Sequence, residues 1–257
     1  MKATLTVLGS GTSVGVPTIG CDCAVCNSSD PKDLRTRPSV LIEYGGKVVL
    51  VDTTPDFREQ AIRERIRRLD AVLYTHPHAD HLLGIDDLRP LSYQHKPGKL
   101  PLYARPEAIE FIRNMFGYIF TPKYKFGGLP QLELIEINGP VELFGSKFEP
   151  VNVIHGDTEI LGFRFGSAAY LTDHSEIPQG SMERLRNLDI LFLDALRHLP
   201  HPTHSTVENS LRIVELLKPR RAFFTHICHD LPHKETNASL PDNVRLAYDG
   251  MKLDFEI

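Results

Sequence analysis

The chain of 257 residues contains no tryptophan and only four cysteines and four methionines. So few cysteines cannot form the dense cross-links of a small secreted scaffold, and a chain this long builds a core without them. No apolar run reaches the roughly 18 residues that a membrane-spanning helix requires. The opening residues, Met1-Lys2-Ala3-Thr4-Leu5-Thr6-Val7-Leu8, lack the layout of a secretory signal and alternate like a strand. Excess positive charge is missing as well. Lys and Arg number 29 against 33 Asp and Glu, a net charge of −4. No broad basic field is therefore available to hold nucleic acid, and no nucleic-acid partner is expected. Without Gly/Ser-rich linkers or short repeats, the expectation is one cytoplasmic domain spanning 1–257.

What is present is ordinary in bulk and unusual in detail. Hydrophobic residues at 41% and charged residues at 24% fit a globular chain. Strand-like runs span Thr4 to Leu8, Ser39 to Tyr44 and Lys47 to Val51, the last two joined by Gly45-Gly46 as a hairpin. A helix is predicted from Pro55 to about Arg68, a strand over Ala71 to Thr75, a strand over Leu100 to Ala104 and a helix over Pro106 to Phe120. Further strands are read at 132–137, 147–154, 162–165, 168–171, 190–194, 221–225, 244–247 and 252–256. Helices are read at 181–187 and from a cap at Ser205 or Thr206 to about Lys218. A strand-rich stretch followed by α/β alternation occurs twice over, which predicts an α/β domain with two sheets.

Histidine is abundant, with 12 residues, and clustered. Thr75-His76-Pro77-His78-Ala79-Asp80-His81 puts three imidazoles and a carboxylate behind a buried strand. Open α/β sheets bind ligands outside the carboxyl ends of their strands. In an extended stretch His76 and His78 project to one side, while Asp80 and His81 fall a turn later and face an adjacent position. One segment can thus serve two cations of the Zn, Mn or Fe type. His155, Asp173 and His226 each end a later predicted strand and converge on the same rim. A carboxylate such as Asp173 can bridge two ions roughly 3.5–4 Å apart.

A second cluster is Cys21-Asp22-Cys23-Ala24-Val25-Cys26, within a loop at about 20–27. Three thiolates need a fourth ligand for structural zinc. Cys228, His229 and His233 are the candidates, and a reduced cluster or a Cys21–Cys26 disulfide is the competing reading.

His76 to His81, with His155, Asp173 and His226, resembles the metallo-β-lactamase superfamily of binuclear hydrolases. That resemblance implies an αββα four-layer sandwich with two mixed β-sheets. It implies one ion on His76, His78 and His155, another on Asp80, His81 and His226, and Asp173 between them. Asp52 would support the metal loop without ligating. Gly9-Ser10-Gly11-Thr12-Ser13-Val14-Gly15-Val16-Pro17, the cysteine segment, Leu171-Thr172-Asp173, His204-Ser205-Thr206, Thr225-His226-Ile227-Cys228-His229 and Ala247-Tyr248-Asp249-Gly250-Met251 are similar to the PhnP family, over essentially the whole chain. Its members are phosphoribosyl cyclic phosphate phosphodiesterases of phosphonate metabolism.

The family likeness implies a structural Zn²⁺ on Cys21, Cys23, Cys26 and His229, with Cys228 left as a small buried hydrophobe. It implies two catalytic divalent metals (Mn²⁺ or Zn²⁺), a homodimer, and a small cyclic phosphodiester attacked by a hydroxide bridging the ions. His204, in the loop after strand 190–194, would protonate the leaving oxygen, with Asp80 as the second catalytic side chain. His198 and His201 are weaker candidates. Two other functions share the motif: tRNA 3′-processing nucleases, whose long basic arm has no counterpart here, and PqqB-type biosynthesis proteins. Gly9 to Gly15 is expected to shape the pocket floor, Arg63 to Arg68 to form a solvated helix face, and the loops Pro90 to Lys99 and Phe116 to Gly128 to select substrate.

Overall fold

A computed structural model describes residues 1–121 and 128–257. Two seven-stranded sheets stack face to face. In the first, Lys252–Glu256, Lys2–Gly9, Ser39–Tyr44 and Lys47–Val51 run antiparallel in that order. Ala71–Leu73, Leu100–Ala104 and Leu132–Glu136 then continue the sheet in parallel. The second sheet repeats the plan. Val141–Leu143, Ser146–His155, Thr158–Phe165 and Ala168–Leu171 are antiparallel, and Ile190–Asp194, Arg221–Thr225 and Val244–Leu246 follow in parallel. Both sheets are mixed, as expected.

The reason lies in which faces are apolar. Residues of alternate pleat from the two sheets, among them Leu5, Val7, Ile42, Val49, Phe163, Tyr170 and Phe192, meet in one buried layer between them. The outer face of the first sheet packs Leu50, Val72 and Leu102 under Phe57, Ile85 and Ile112 of the covering helices. The outer face of the second packs Leu171, Leu191 and Phe224 under Val207, Ile213 and Leu217. Apolar strands buried on both faces need helices on both sides, which gives four layers, αββα. No helix among the described residues is long and apolar enough to cross a membrane.

Several predicted elements end earlier. The helix expected to run to Arg68 spans Phe57–Arg63 only, because Arg65 turns left-handed (φ 55°) to lead into the next strand. Arg63, Arg65, Arg67 and Arg68 are exposed, as expected of a solvated face, and Arg63 also donates to Leu8 O and to Asp249 Oδ2 (3.2 Å). The helix expected over 106–120 breaks at Phe116 into Pro106–Met115 and Gly117–Phe120. Part of the loop Phe116 to Gly128, residues 122–127, lies outside the described residues. The strand Val141–Leu143 and the helix His233–Ser239 were not anticipated.

The Gly9 to Gly15 loop runs beside the segment that carries His226, with Thr12 N donating to Ile227 O (3.1 Å) and Ile227 N to Ser10 O (3.0 Å). A Cβ at Gly11 would lie 2.7 Å from Arg35 O, and one at Gly9 would collide with Arg37 O. These glycines let two backbone segments touch.

Candidate metal centre

The carboxyl ends of the parallel strands and the end of Ser146–His155 form one rim. Asp52 follows Val51, His76 to His81 follow Ala71–Leu73, Asp173 follows Ala168–Leu171, and His226 follows Arg221–Thr225. His155 is the last residue of its strand. Asp52, Asp173 and His226 all take positive φ (64°, 56° and 57°). Such left-handed turns by non-glycine residues cost about 1–3 kcal/mol each and concentrate at functional sites. Here they end three strands abruptly and swing the side chains inward.

Two ligand sets result. In one, donor atoms of His76, His78 and His155 lie within 4.8 Å of one another; in the other, those of Asp80, His81, Asp173 and His226 do. His76 Nε2 and His78 Nδ1 stand 3.0 Å apart. Asp173 links the sets, with Oδ1 3.3 Å from His81 Nε2 and Oδ2 3.2 Å from His226 Nε2 and 3.9 Å from His76 Nε2. All seven residues that the sequence assigns to the two ion sets are thus brought together.

Supporting contacts fix which nitrogen is bare. Asp52 Oδ2 accepts from His81 Nδ1 (2.8 Å), while its carboxylate also accepts from the Thr75 amide and hydroxyl (2.8 Å each). His155 Nδ1 donates to Thr203 O (2.8 Å). A nitrogen that gives its proton to an oxygen leaves the other nitrogen as a lone pair, so His81 Nε2 and His155 Nε2 face the centre as acceptors. Asp52 hydrogen-bonds His81 and joins neither ligand set.

The residues fit divalent cations. Asp80 Oδ2, His81 Nε2 and His226 Nε2 are buried without a hydrogen-bond partner, a costly arrangement unless an ion satisfies them. Charge gives the same result. Burial presses His81 and His226 down, but Asp173 and Asp80 outweigh it; His81 rises well above its ordinary value and His226 to about 9. Burial raises Asp173, yet His226 and His81 hold it well below the usual carboxylate range. The carboxylates draw positive charge into a dry pocket. His76, His78 and His155 go the other way, lowered first by burial, and are neutral imidazoles suited to ligation.

His204 sits beside this centre. Its ring stacks on His226 (centroids 4.5 Å) and meets His155 edge-on (4.8 Å). Its Nδ1 is 2.6 Å from Asp194 Oδ2. Asp194 is fully buried, and burial raises its carboxyl well above the usual range. Burial and then His226 bring His204 down to about 4. Sequence reasoning missed Asp194, although it ends the strand Ile190–Asp194 just as Asp173 follows its own; that shared position was the available signal. His198 is turned away onto Glu208 (2.6 Å) and is exposed.

The thiolate cluster forms a second site about His229. Its Nδ1 lies 3.2, 3.4 and 3.4 Å from Sγ of Cys21, Cys23 and Cys26. All four cysteines are free, so the disulfide reading fails. The Cys26 amide, donating to Cys23 Sγ, is the main cause that brings that thiol down to about 6. Cys228 is buried, raised to about 11 by burial, and His233 joins no ligand set among the described residues. The whole turn is gripped by Arg35, itself 1% exposed, which donates to Cys228 O (2.7 Å), Leu231 O (2.6 Å) and Asp33 Oδ1 (3.0 Å).

Comparison with known proteins places this geometry. A family model described as a beta-lactamase superfamily domain matches residues 47–227. A crystal structure of a new diphosphatase from the PhnP family is 61% identical, covering 99% of this chain and 98% of that one with a TM-score of 0.94. An octanoyltransferase of Porphyromonas gingivalis is 39% identical over 251 residues, 96% of this chain and 50% of its own length. A ribonuclease Z of Bradyrhizobium diazoefficiens is 29% identical over 152 residues, 56% of this chain and 48% of its own. The chain therefore spans about half the length of these curated relatives. With the superfamily model across most of the chain and near-complete overlap with a PhnP-family structure, this chain belongs to the beta-lactamase superfamily and, within it, to the PhnP family.

Proposed function

We propose that this metal-dependent hydrolase cleaves a small cyclic phosphodiester of the phosphoribosyl 1,2-cyclic phosphate type. The observation that carries the reading is the double ligand set, His76, His78 and His155 beside Asp80, His81 and His226, joined by Asp173. Divalent cations (Mn²⁺ or Zn²⁺), when bound there, supply Lewis-acid polarisation of phosphoryl oxygens and an activated water. The chain's own residues do the rest. Asp52 and Thr203 orient His81 and His155. Asp194 anchors His204 at Nδ1, so Nε2 is the nitrogen left to exchange a proton with the leaving oxygen. Burial of the rim keeps bulk water from competing with these contacts. Cys21, Cys23, Cys26 and His229 would hold a structural Zn²⁺ that shapes the loop carrying His226.

A second reading is hydrolysis of a diphosphate linkage, favoured by the 61% identity to a diphosphatase of the PhnP family. Resemblance to ribonuclease Z keeps RNA as the third substrate to test. The test is a side-by-side assay of the Mn²⁺-loaded protein on ribose 1,2-cyclic phosphate 5-phosphate, 2′,3′-cyclic nucleotides, a dinucleoside diphosphate and a tRNA precursor. Strong preference for the sugar cyclic phosphate is expected. Preference for the diphosphate or for tRNA overturns the first reading in favour of the matching alternative. The chain is further proposed to act as a single cytoplasmic domain and a homodimer; light scattering checks the dimer, which a monomer mass refutes.

A further inference from the structure

A groove of about 480 Å³ shares no residue with any of the ligand sets, and His233 lines it. The backbone of His233 is tied down on both sides. Asp33 Oδ1 accepts from Arg35 Nη2 (3.0 Å) and from the His233 amide (2.8 Å), and the His233 carbonyl accepts from Asn237 Nδ2 (2.8 Å). The ring meets Tyr248 edge-on with centroids 5.7 Å apart, and Lys32 Nζ stands 4.4 Å from the centroid of the same Tyr248 ring. Imidazole, phenol and ammonium thus form one wall. His233 is only 7% exposed, yet no protein group among the described residues bonds its ring. A side chain so buried is normally hydrogen-bonded. Its Nδ1 is sealed off, so Nε2, neither sealed nor bonded, is the nitrogen that can reach a ligand in the groove.

The charge around the groove has one sign in excess. Lys32, Lys234 and Arg245 line it against a single carboxylate, Asp30, which leaves two positive charges uncompensated. Among the described residues the lysines that pair with carboxylates are Lys47, Lys147 and Lys252; Lys32 and Lys234 do not. Arg245 Nη1 donates to the carbonyls of Pro241 (2.9 Å) and Val244 (2.6 Å), which fixes the guanidinium and leaves Nη2 open. At the His233 ring, Lys32 and Arg35 outweigh Asp30 and Asp33, so the potential there is positive. Two uncompensated charges match a dianionic phosphate better than a singly charged carboxylate. The chain's net charge of −4 supplies no wider basic field, so an extended polyanion has nothing to lie along beyond the groove.

We propose that this groove is a second ligand site, which holds the phosphate group of a small phosphorylated compound between Lys32, Lys234 and Arg245 with His233 Nε2–H as the directional donor. The site is apart from the reaction, so it stands whichever bond the metal centre cleaves.

The experiment is nitrogen NMR of the histidine rings in the Zn²⁺-loaded protein, titrated with inorganic phosphate at constant ionic strength. The His233 ring, assigned through its backbone connections, reports this groove alone. Its signal is expected to shift and saturate as phosphate is added. Lys32 and Lys234 are exposed, so replacing both by alanine leaves the core intact. That double variant should bind phosphate about tenfold more weakly at the His233 signal, the usual effect of losing a hydrogen bond to a charged group. Phosphate that binds only at the metal centre moves the signals of the ligand histidines and leaves that of His233 in place. That outcome overturns the proposal, and so does an affinity that the two lysine substitutions leave unchanged.

Discussion

Asp52 belongs to neither ligand set, yet it decides what His81 presents to the centre. Its carboxylate takes the Nδ1 proton and leaves Nε2 bare. Asp52→Ala would leave that buried N–H unpaired and free the ring to change tautomer. Support of this kind is worth roughly 10–100-fold in metal affinity, so titration against a competing chelator should find the second cation weakened by about that factor; unchanged affinity would contradict the orienting role. His204 makes a different prediction. If it protonates the leaving oxygen, His204→Ala should damage turnover of alkyl phosphodiesters far more than of activated aryl ones. Equal losses on both would count against it.

His233 supplies a prediction in pH at the same scale. Burial, then Lys32 and Arg35, lower its imidazole to about 4, and its Nδ1 is buried without a partner. In the unfolded chain the ring titrates near the ordinary 6.5. Between the two values the unfolded chain binds the extra proton, so this contribution to stability is complete above about pH 6.5 and is lost on descending to about 4. Denaturation midpoints across that window should fall less steeply for His233→Gln than for the wild type. Parallel curves would remove His233 from the acid response.

At the scale of elements, the sequence was clearest where chemistry and periodicity agree. The hairpin at Ser39–Tyr44 and Lys47–Val51, the strands Leu100–Ala104, Ile190–Asp194 and Arg221–Thr225, and the helix starting at Thr206 appear where their patterns put them. Thr206 caps that helix through its side chain, accepting from Asn209 N at 3.1 Å. Thr206→Ala should cost about 1 kcal/mol of stability, readable from denaturant midpoints at constant slope. Helix ends were less legible. Nothing local in Glu64-Arg65-Ile66 announces a left-handed turn at Arg65, because the need to reach the next strand imposes it. The ligands were readable because an imidazole or carboxylate at a strand end is visible in one dimension. Arg35 was not: its value comes from carbonyls at Cys228 and Leu231, nearly two hundred positions away.

For the molecule as a whole, the double plan of the sheets explains why ligands come from such distant stretches of chain. Each half ends its parallel strands at the same rim, so each contributes part of one centre, and removing either half leaves an incomplete set. Cys23→Ser should remove one zinc per chain by elemental analysis; an unchanged zinc count would refute the Cys₃His assignment. The same loss should be felt at the rim, for a plain reason of spacing. Only Ile227 and Cys228 separate His226 from His229, Gly11 pairs with Ile227, and Arg35 clamps the turn behind them. Two sites that share so short a rigid span are thermodynamically linked, and linkage is reciprocal. Filling the thiolate site should therefore tighten binding at the rim, and filling the rim should tighten zinc at the thiolates by the same factor. The affinity of either site would then report whether the other is occupied.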